Sequence, residues 1–137
     1  MSKLEYFLNP TSKEEIKEIT VSERFKDEKG KPATIKLKSI SQEQNEALIK
    51  RCTMREKNRN GTVTENLDRN RYTALLILEC IIEPNFRSEE FVKSMGVADP
   101  VDALKKLFLP GEYTIISEAI LDLMGLNANL GDTAKNS

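Results

Sequence analysis

At 137 residues the chain has the size of one ordinary domain, and a chain of that order buries roughly two thirds of its unfolded surface on folding, so one core suffices. Its 21 basic and 22 acidic residues nearly cancel to a formal net charge of −1, which excludes a global field drawing it onto a polyanion or an anionic membrane. A balance of 39% apolar and 31% charged residues argues against compositional disorder, and the absence of His excludes zinc sites that use imidazole.

The first ten residues carry Lys3 and Glu5 and lack the long apolar run and small-residue cleavage site of a secretion signal, so the protein is expected to stay inside the cell. Leu4, Tyr6, Phe7 and Leu8 nevertheless make this stretch strongly apolar before any regular element begins. We read residues 1–15 as an arm that either folds back over the core or docks on a second copy or a client. Apolar residues at even separations (Ile19, Val21, Phe25) predict a half-buried strand over Glu18–Phe25, and Ala33, Ile35 and Leu37 predict another over Ala33–Ile40. Gly30 and Pro32 mark the loop between them, and the resulting hairpin needs helices beneath it, since two strands alone are marginal in water.

Ser41-Gln42-Glu43-Gln44 is a capping box, from which a helix is expected to run to about Lys57, with Ala47, Leu48 and Cys52 inward and basic residues crowding its end. Asn58-Arg59-Asn60-Gly61 breaks it. A second helix starts near Asp68 and holds Tyr72, Leu75, Leu76, Ile77, Leu78, Cys80, Ile81 and Ile82 at nearly every angle of the wheel, which predicts a central helix buried on most sides and closed by Pro84. The apolar run Ala74–Ile82 is too short to cross a bilayer and is interrupted by Glu79. Ser88 opens a short helix that Gly96 ends, Asp99-Pro100 opens the next, and Leu109-Pro110-Gly111-Glu112 turns the corner into a last helix that reaches Met124. The fold class is therefore α+β, mainly α, an N-terminal β-hairpin packed on about five helices. The expected organisation is an arm (1–15), one globular domain (16–125) and a flexible tail (126–137), since periodicity is lost from Leu126 onward.

Candidate chemistry is sparse. The acidic pairs Glu14-Glu15 and Glu89-Glu90 point in different directions and suit helix starts without any function. Cys52 and Cys80 have neither metal-ligand nor redox spacing and read as buried thiols. Phosphate-cradling, dinucleotide, hydrolase and EF-hand motifs are missing. We accordingly expect no catalytic residue, cofactor or metal. Lys50, Arg51, Arg55, Lys57, Arg59, Arg69 and Arg71 outnumber Glu56, Glu65 and Asp68, and a nucleic-acid contact through this Lys50–Arg71 cluster is the rival reading. It lacks interleaved aromatics, and the isoelectric point near 5.7 is far from a basic footprint, so a solvated helix end is the simpler account. The last helix shows a wider apolar arc than one core contact needs, so a client face is placed on Leu107, Phe108, Leu109, Tyr113, Ile116 and Leu121, around the Pro110-Gly111 corner.

In order and spacing, Val21-Ser22-Glu23-Arg24-Phe25-Lys26-Asp27-Glu28-Lys29-Gly30-Lys31-Pro32, the run Lys50-Arg51-Cys52-Thr53, and Leu109-Pro110-Gly111-Glu112-Tyr113 followed by Glu118-Ala119-Ile120 resemble the XkdN-like phage family, over about Leu4 to Leu126. The resemblance implies a tail assembly chaperone, encoded near the tape measure protein and keeping it soluble while the tail tube polymerises, in the host bacterial cytoplasm and absent from the finished virion. It implies no catalytic residues. The expected partner is the tape measure protein, with a second copy of the chain as another candidate, and neither a membrane nor nucleic acid is expected. The alternative is a small nucleic-acid-binding phage regulator built on the Lys50–Arg71 cluster.

Overall fold

The computed structural model describes residues 3–8 and 16–126. A short helix α1 (Lys3–Leu8) precedes strands β1 (Ile16–Thr20) and β2 (Thr34–Lys38). Helix α2 (Gln42–Cys52) leads into a second hairpin, β3 (Thr53–Lys57) and β4 (Val63–Leu67). Helix α3 (Arg69–Cys80) continues directly into β5 (Ile81–Glu83), and α4 (Glu89–Met95), α5 (Pro100–Leu107) and α6 (Pro110–Leu123) complete the chain.

The caps read from the sequence form as expected. Ser41 Oγ accepts the Gln44 amide while the Gln44 side chain accepts the Ser41 amide, so two orphan donors of α2 are satisfied reciprocally. Ser88 and Asp99 cap α4 and α5 by accepting the Phe91 and Asp102 amides, and Asp68, read only as the approximate start of α3, caps it by accepting the Arg71 amide. Gly96 takes the left-handed conformation that ends α4, at φ 68°.

The expected N-terminal hairpin is present, with β1 antiparallel to β2 and Ile19 opposite Ile35. Its ladder stops at Thr20, so Val21 to Phe25, expected as strand, lie in the connection. That segment stays ordered because Ala33 donates to the Phe25 carbonyl and the Asp27 carboxylate accepts the amides of Lys29 and Lys31.

Two element assignments are corrected. The helix expected to reach Lys57 ends at Cys52, where Thr53 turns extended, and Thr53–Lys57 pairs antiparallel with Val63–Leu67 around Asn58–Thr62. Gly61 supplies the positive φ of that turn, 88°. The ribbon carries no alternating apolar pattern because every β4 residue, and all of β3 but Thr53, is exposed. Ile81 and Ile82, expected to extend the central helix, form β5 instead, and β5 completes a three-stranded sheet in the order β1-β2-β5. A continuous apolar run fits a buried helix and a sheet strand equally well, and here the open edge of β2 takes the end of the run.

One core unites these elements. Ile35 and Leu37 of β2, Leu48 of α2, Leu76, Ile77 and Cys80 of α3, Leu104 of α5, and Ile116 and Ile120 of α6 are all buried together. The central position of α3 is as predicted, and Tyr72 adds a polar tie from its hydroxyl to the Asn45 side chain of α2. Helix α6 packs on α3 and on β1 and β2, so its broad apolar arc serves two interfaces of the core. The expected tail beyond Leu126 and the part of the arm at residues 9–15 lie outside the described residues.

Candidate partner-binding site

The two most distinctive sequence segments meet in space. Arg24, from the loop after β1, reaches Glu112 in the first turn of α6, 88 residues away. Its Nε donates to Glu112 Oε2 at 2.9 Å and its Nη2 donates to Oε1 at 2.6 Å, a two-point pair of the kind that only a guanidinium makes. Ser22 Oγ donates to the same carboxylate at 2.5 Å, and the Leu109 amide donates to it at 2.7 Å, so Glu112 also caps the start of α6, which Leu109 has no side-chain acceptor to do. The Arg24 Nη2 further donates to the Leu107 carbonyl at 2.9 Å, at the end of α5. A cation therefore sits at the C-terminal pole of α5 and an anion at the N-terminal pole of α6, each where the helix dipole favours it. Glu112 is only 5% exposed yet fully satisfied. Hydrogen bonding from Arg24 above all, then from Ser22 and the Leu109 amide, holds its carboxyl at about 2, against burial, which acts to raise it.

Beside this clamp lies an apolar surface pocket of about 210 Å³, bordered by Val21, Phe25, Ile35, Phe86, Leu107 and Phe108. Its aromatic walls are mutually locked. Phe25 and Phe86 each meet Phe108 edge to face at 5.8 Å, and Phe86 meets Phe91 of α4 at 5.0 Å. The Arg24 guanidinium lies 4.7 Å from the Phe25 ring centre, a cation-π contact that ties the clamp to the pocket wall.

The residues expected to form a client face separate into three groups. Leu109 is 53% exposed at the corner, and Leu107, Tyr113 and Leu121 are half-buried. Phe108 is buried and shows only the part of its ring that lines the pocket. Ile116 is fully buried and cannot touch a partner while the chain is folded. The apolar surplus that suggested this face is largely consumed by the double packing of α6. The arm differs: Leu4, Tyr6, Phe7 and Leu8 of α1 remain 61–81% exposed and are not folded over the core. Sequence reasoning missed Phe86, Val21 and the Ser22–Arg24–Glu112 connection. Only the acid at the third position of α6 was a usable signal, and it does not say which distant cation answers it.

The other candidates come apart. Cys52 and Cys80 are buried, and desolvation, followed by the charge of Glu79, pushes the Cys80 thiol up to about 12, far from a reactive thiolate. The basic cluster is distributed over the end of α2, the second hairpin and the start of α3, and Arg55 is paired with Glu65 across the ribbon at 3.2 Å. A groove of about 680 Å³ near it is larger than the apolar pocket, but its Arg51, Arg71, Arg87 and Lys105 are matched by four carboxylates. Two of those, Asp68 and Asp99, cap helices, and Glu79 pairs with Arg87 at 2.6 Å.

The class of protein to which this small α+β scaffold is matched is the phage tail assembly chaperones. The chain belongs to that family, since the family model described as "Phage XkdN-like tail assembly chaperone protein, TAC" matches residues 4–136. It is 32% identical over 120 residues to the phage-like element PBSX protein XkdN of Bacillus subtilis (strain 168), covering 87% of this chain and 80% of that protein. It is 28% identical over 138 residues to the uncharacterized protein YqbN of the same organism, covering 97% of this chain and 93% of that one. The crystal structure of the protein YqbN has the same fold, with a TM-score of 0.75 at 24% identity over 93% of this chain and 99% of that one. Among the described residues, no helix is long and apolar enough to cross a membrane.

Proposed function

We propose that this chain binds the tape measure protein during tail assembly and keeps it soluble, without catalysing a reaction, in the host bacterial cytoplasm, and that it is left out of the finished virion. The observation that carries this reading is the apolar pocket beside the α5–α6 corner, flanked by the exposed Leu109. A long helical client presents apolar anchors at helical spacing, and a pocket of this size takes one such side chain while the corner and the exposed α1 supply further apolar contact. The proposed contact face is then Leu107, Leu109 and Tyr113 with the pocket edge of Phe108, together with the half-buried Leu121 further along α6. Ile116 acts only through the core.

Co-expression with the tape measure protein followed by pull-down tests this. Leu109→Asp, and Ala33→Phe, which places a ring at the pocket from a lining position, should both leave the fold intact by circular dichroism and strip the client from the chaperone. Wild-type recovery of soluble client with both variants would show that the client binds elsewhere.

A further inference from the structure

We propose that Arg24 is a positioning residue for the apolar pocket, and that the Ser22–Arg24–Glu112 clamp exists to fix the spacing of the pocket walls rather than to bind a charged ligand. This rests on the reading of the pocket as the client site. The walls come from separate stretches of chain: Val21 and Phe25 after β1, Ile35 in β2, Phe86 after β5, and Leu107 and Phe108 at the end of α5. One guanidinium touches two of these walls. It lies over the ring of Phe25 and holds the carbonyl of Leu107, while its other bonds anchor it on Glu112. The loop is set for this beforehand, since the Arg24 amide donates to Ser22 Oγ at 3.2 Å and Ser22 Oγ donates to Glu112.

Stability is a poor reason for such a device. The Arg24 side chain keeps 45% of its surface in water while Glu112 loses its hydration, and an ion pair open to solvent on one side adds little net stability. What it adds is geometry. A planar, two-point pair defines both the distance and the angle between the segments it joins, which a greasy contact leaves free to slide. Both oxygens of Glu112 are engaged inside the chain, so the acid of the clamp is closed to a ligand, and the contacts that Arg24 makes beyond Glu112 are to the pocket walls, Phe25 and Leu107.

The test compares full-length wild type with Arg24→Met, Arg24→Lys and the milder Ser22→Ala, by methyl NMR and by affinity for the tape measure protein. Arg24→Met should shift the methyl signals of Val21 and Leu107 while leaving those of Ile77 and Ile120 in place, and should weaken client binding about tenfold. Arg24→Lys should not rescue binding, because an ammonium cannot hold the carboxylate and the Leu107 carbonyl in one plane. Should Arg24→Met fail to fold, Ser22→Ala is read by the same signals. Unmoved Val21 and Leu107 signals, or shifted signals with client affinity unchanged, overturn the proposal. If the wild type itself does not retain the tape measure protein, it is the proposed function that falls, and the methyl spectra alone decide whether the clamp sets the pocket.

Discussion

Ile115 and Ile116 are neighbours on α6 with opposite fates, and the pair gives a sharp test of how the helix is used. Ile116 is fully buried in the central cluster, whereas Ile115 is 44% exposed. Truncating Ile116 to Ala removes buried apolar atoms and leaves a cavity, which costs about 2–5 kcal/mol. Truncating Ile115 should cost no more than about 0.5 kcal/mol, because the position is largely solvated and Ala is the better helix former. With a urea m-value of about 1.5 kcal/mol/M, the lower end of the first range moves the midpoint by about 1.3 M, and the thermal midpoint by about 8 °C. Urea unfolding followed by circular dichroism reads both variants on one scale, with unchanged slopes showing that only stability has altered. Client binding should follow stability for Ile116→Ala, with full retention of client by whatever fraction is folded. Equal midpoint shifts for the two variants, or a folded and stable Ile116→Ala that loses the client, would refute the assignment of this face to the core.

The clamp makes its own pH signature: the Glu112 carboxyl is held at about 2 when folded against an ordinary value near 4.5, so its stabilisation is complete above about 4.5 and disappears as pH falls toward 2. Glu112→Gln should therefore flatten stability measured by urea titration across that window, and a slope identical to wild type would count against the pairing. Cys52 and Cys80 should react with a thiol-specific reagent only after denaturation, because both are buried and the Cys80 thiol is pushed up to about 12; rapid native labelling would contradict this. Amides of the β3–β4 ribbon should exchange with solvent far faster than those of α3 in a hydrogen-exchange experiment, since the ribbon packs chiefly on itself and a lone hairpin is marginal. Equal protection would mean that something else holds the ribbon.

Features that are local in origin were legible in the order of residues alone. Caps at Ser41, Ser88 and Asp99, the stop at Gly96 and the turn around Gly30 depend on a few adjacent residues meeting their own backbone, so their chemistry is written within reach of each other. The burial of α3 was legible too, because apolar residues at every wheel angle leave no face for water. Whatever depended on a partner distant in the chain was settled only by folding. The end of the run at Ile81–Glu83 became strand because β2 offered an open edge, and the second hairpin carried no apolar alternation because neither of its faces meets the core. The apolar arc of α6 looked like spare surface until α3 and the sheet were seen to take both of its sides, which moved Ile116 from a partner face to the interior. The pocket and its clamp lie furthest from sequence reasoning: Arg24 and Glu112 are ordinary surface-type residues 88 positions apart, and only the folded chain removes Glu112 from water and so makes its partner matter.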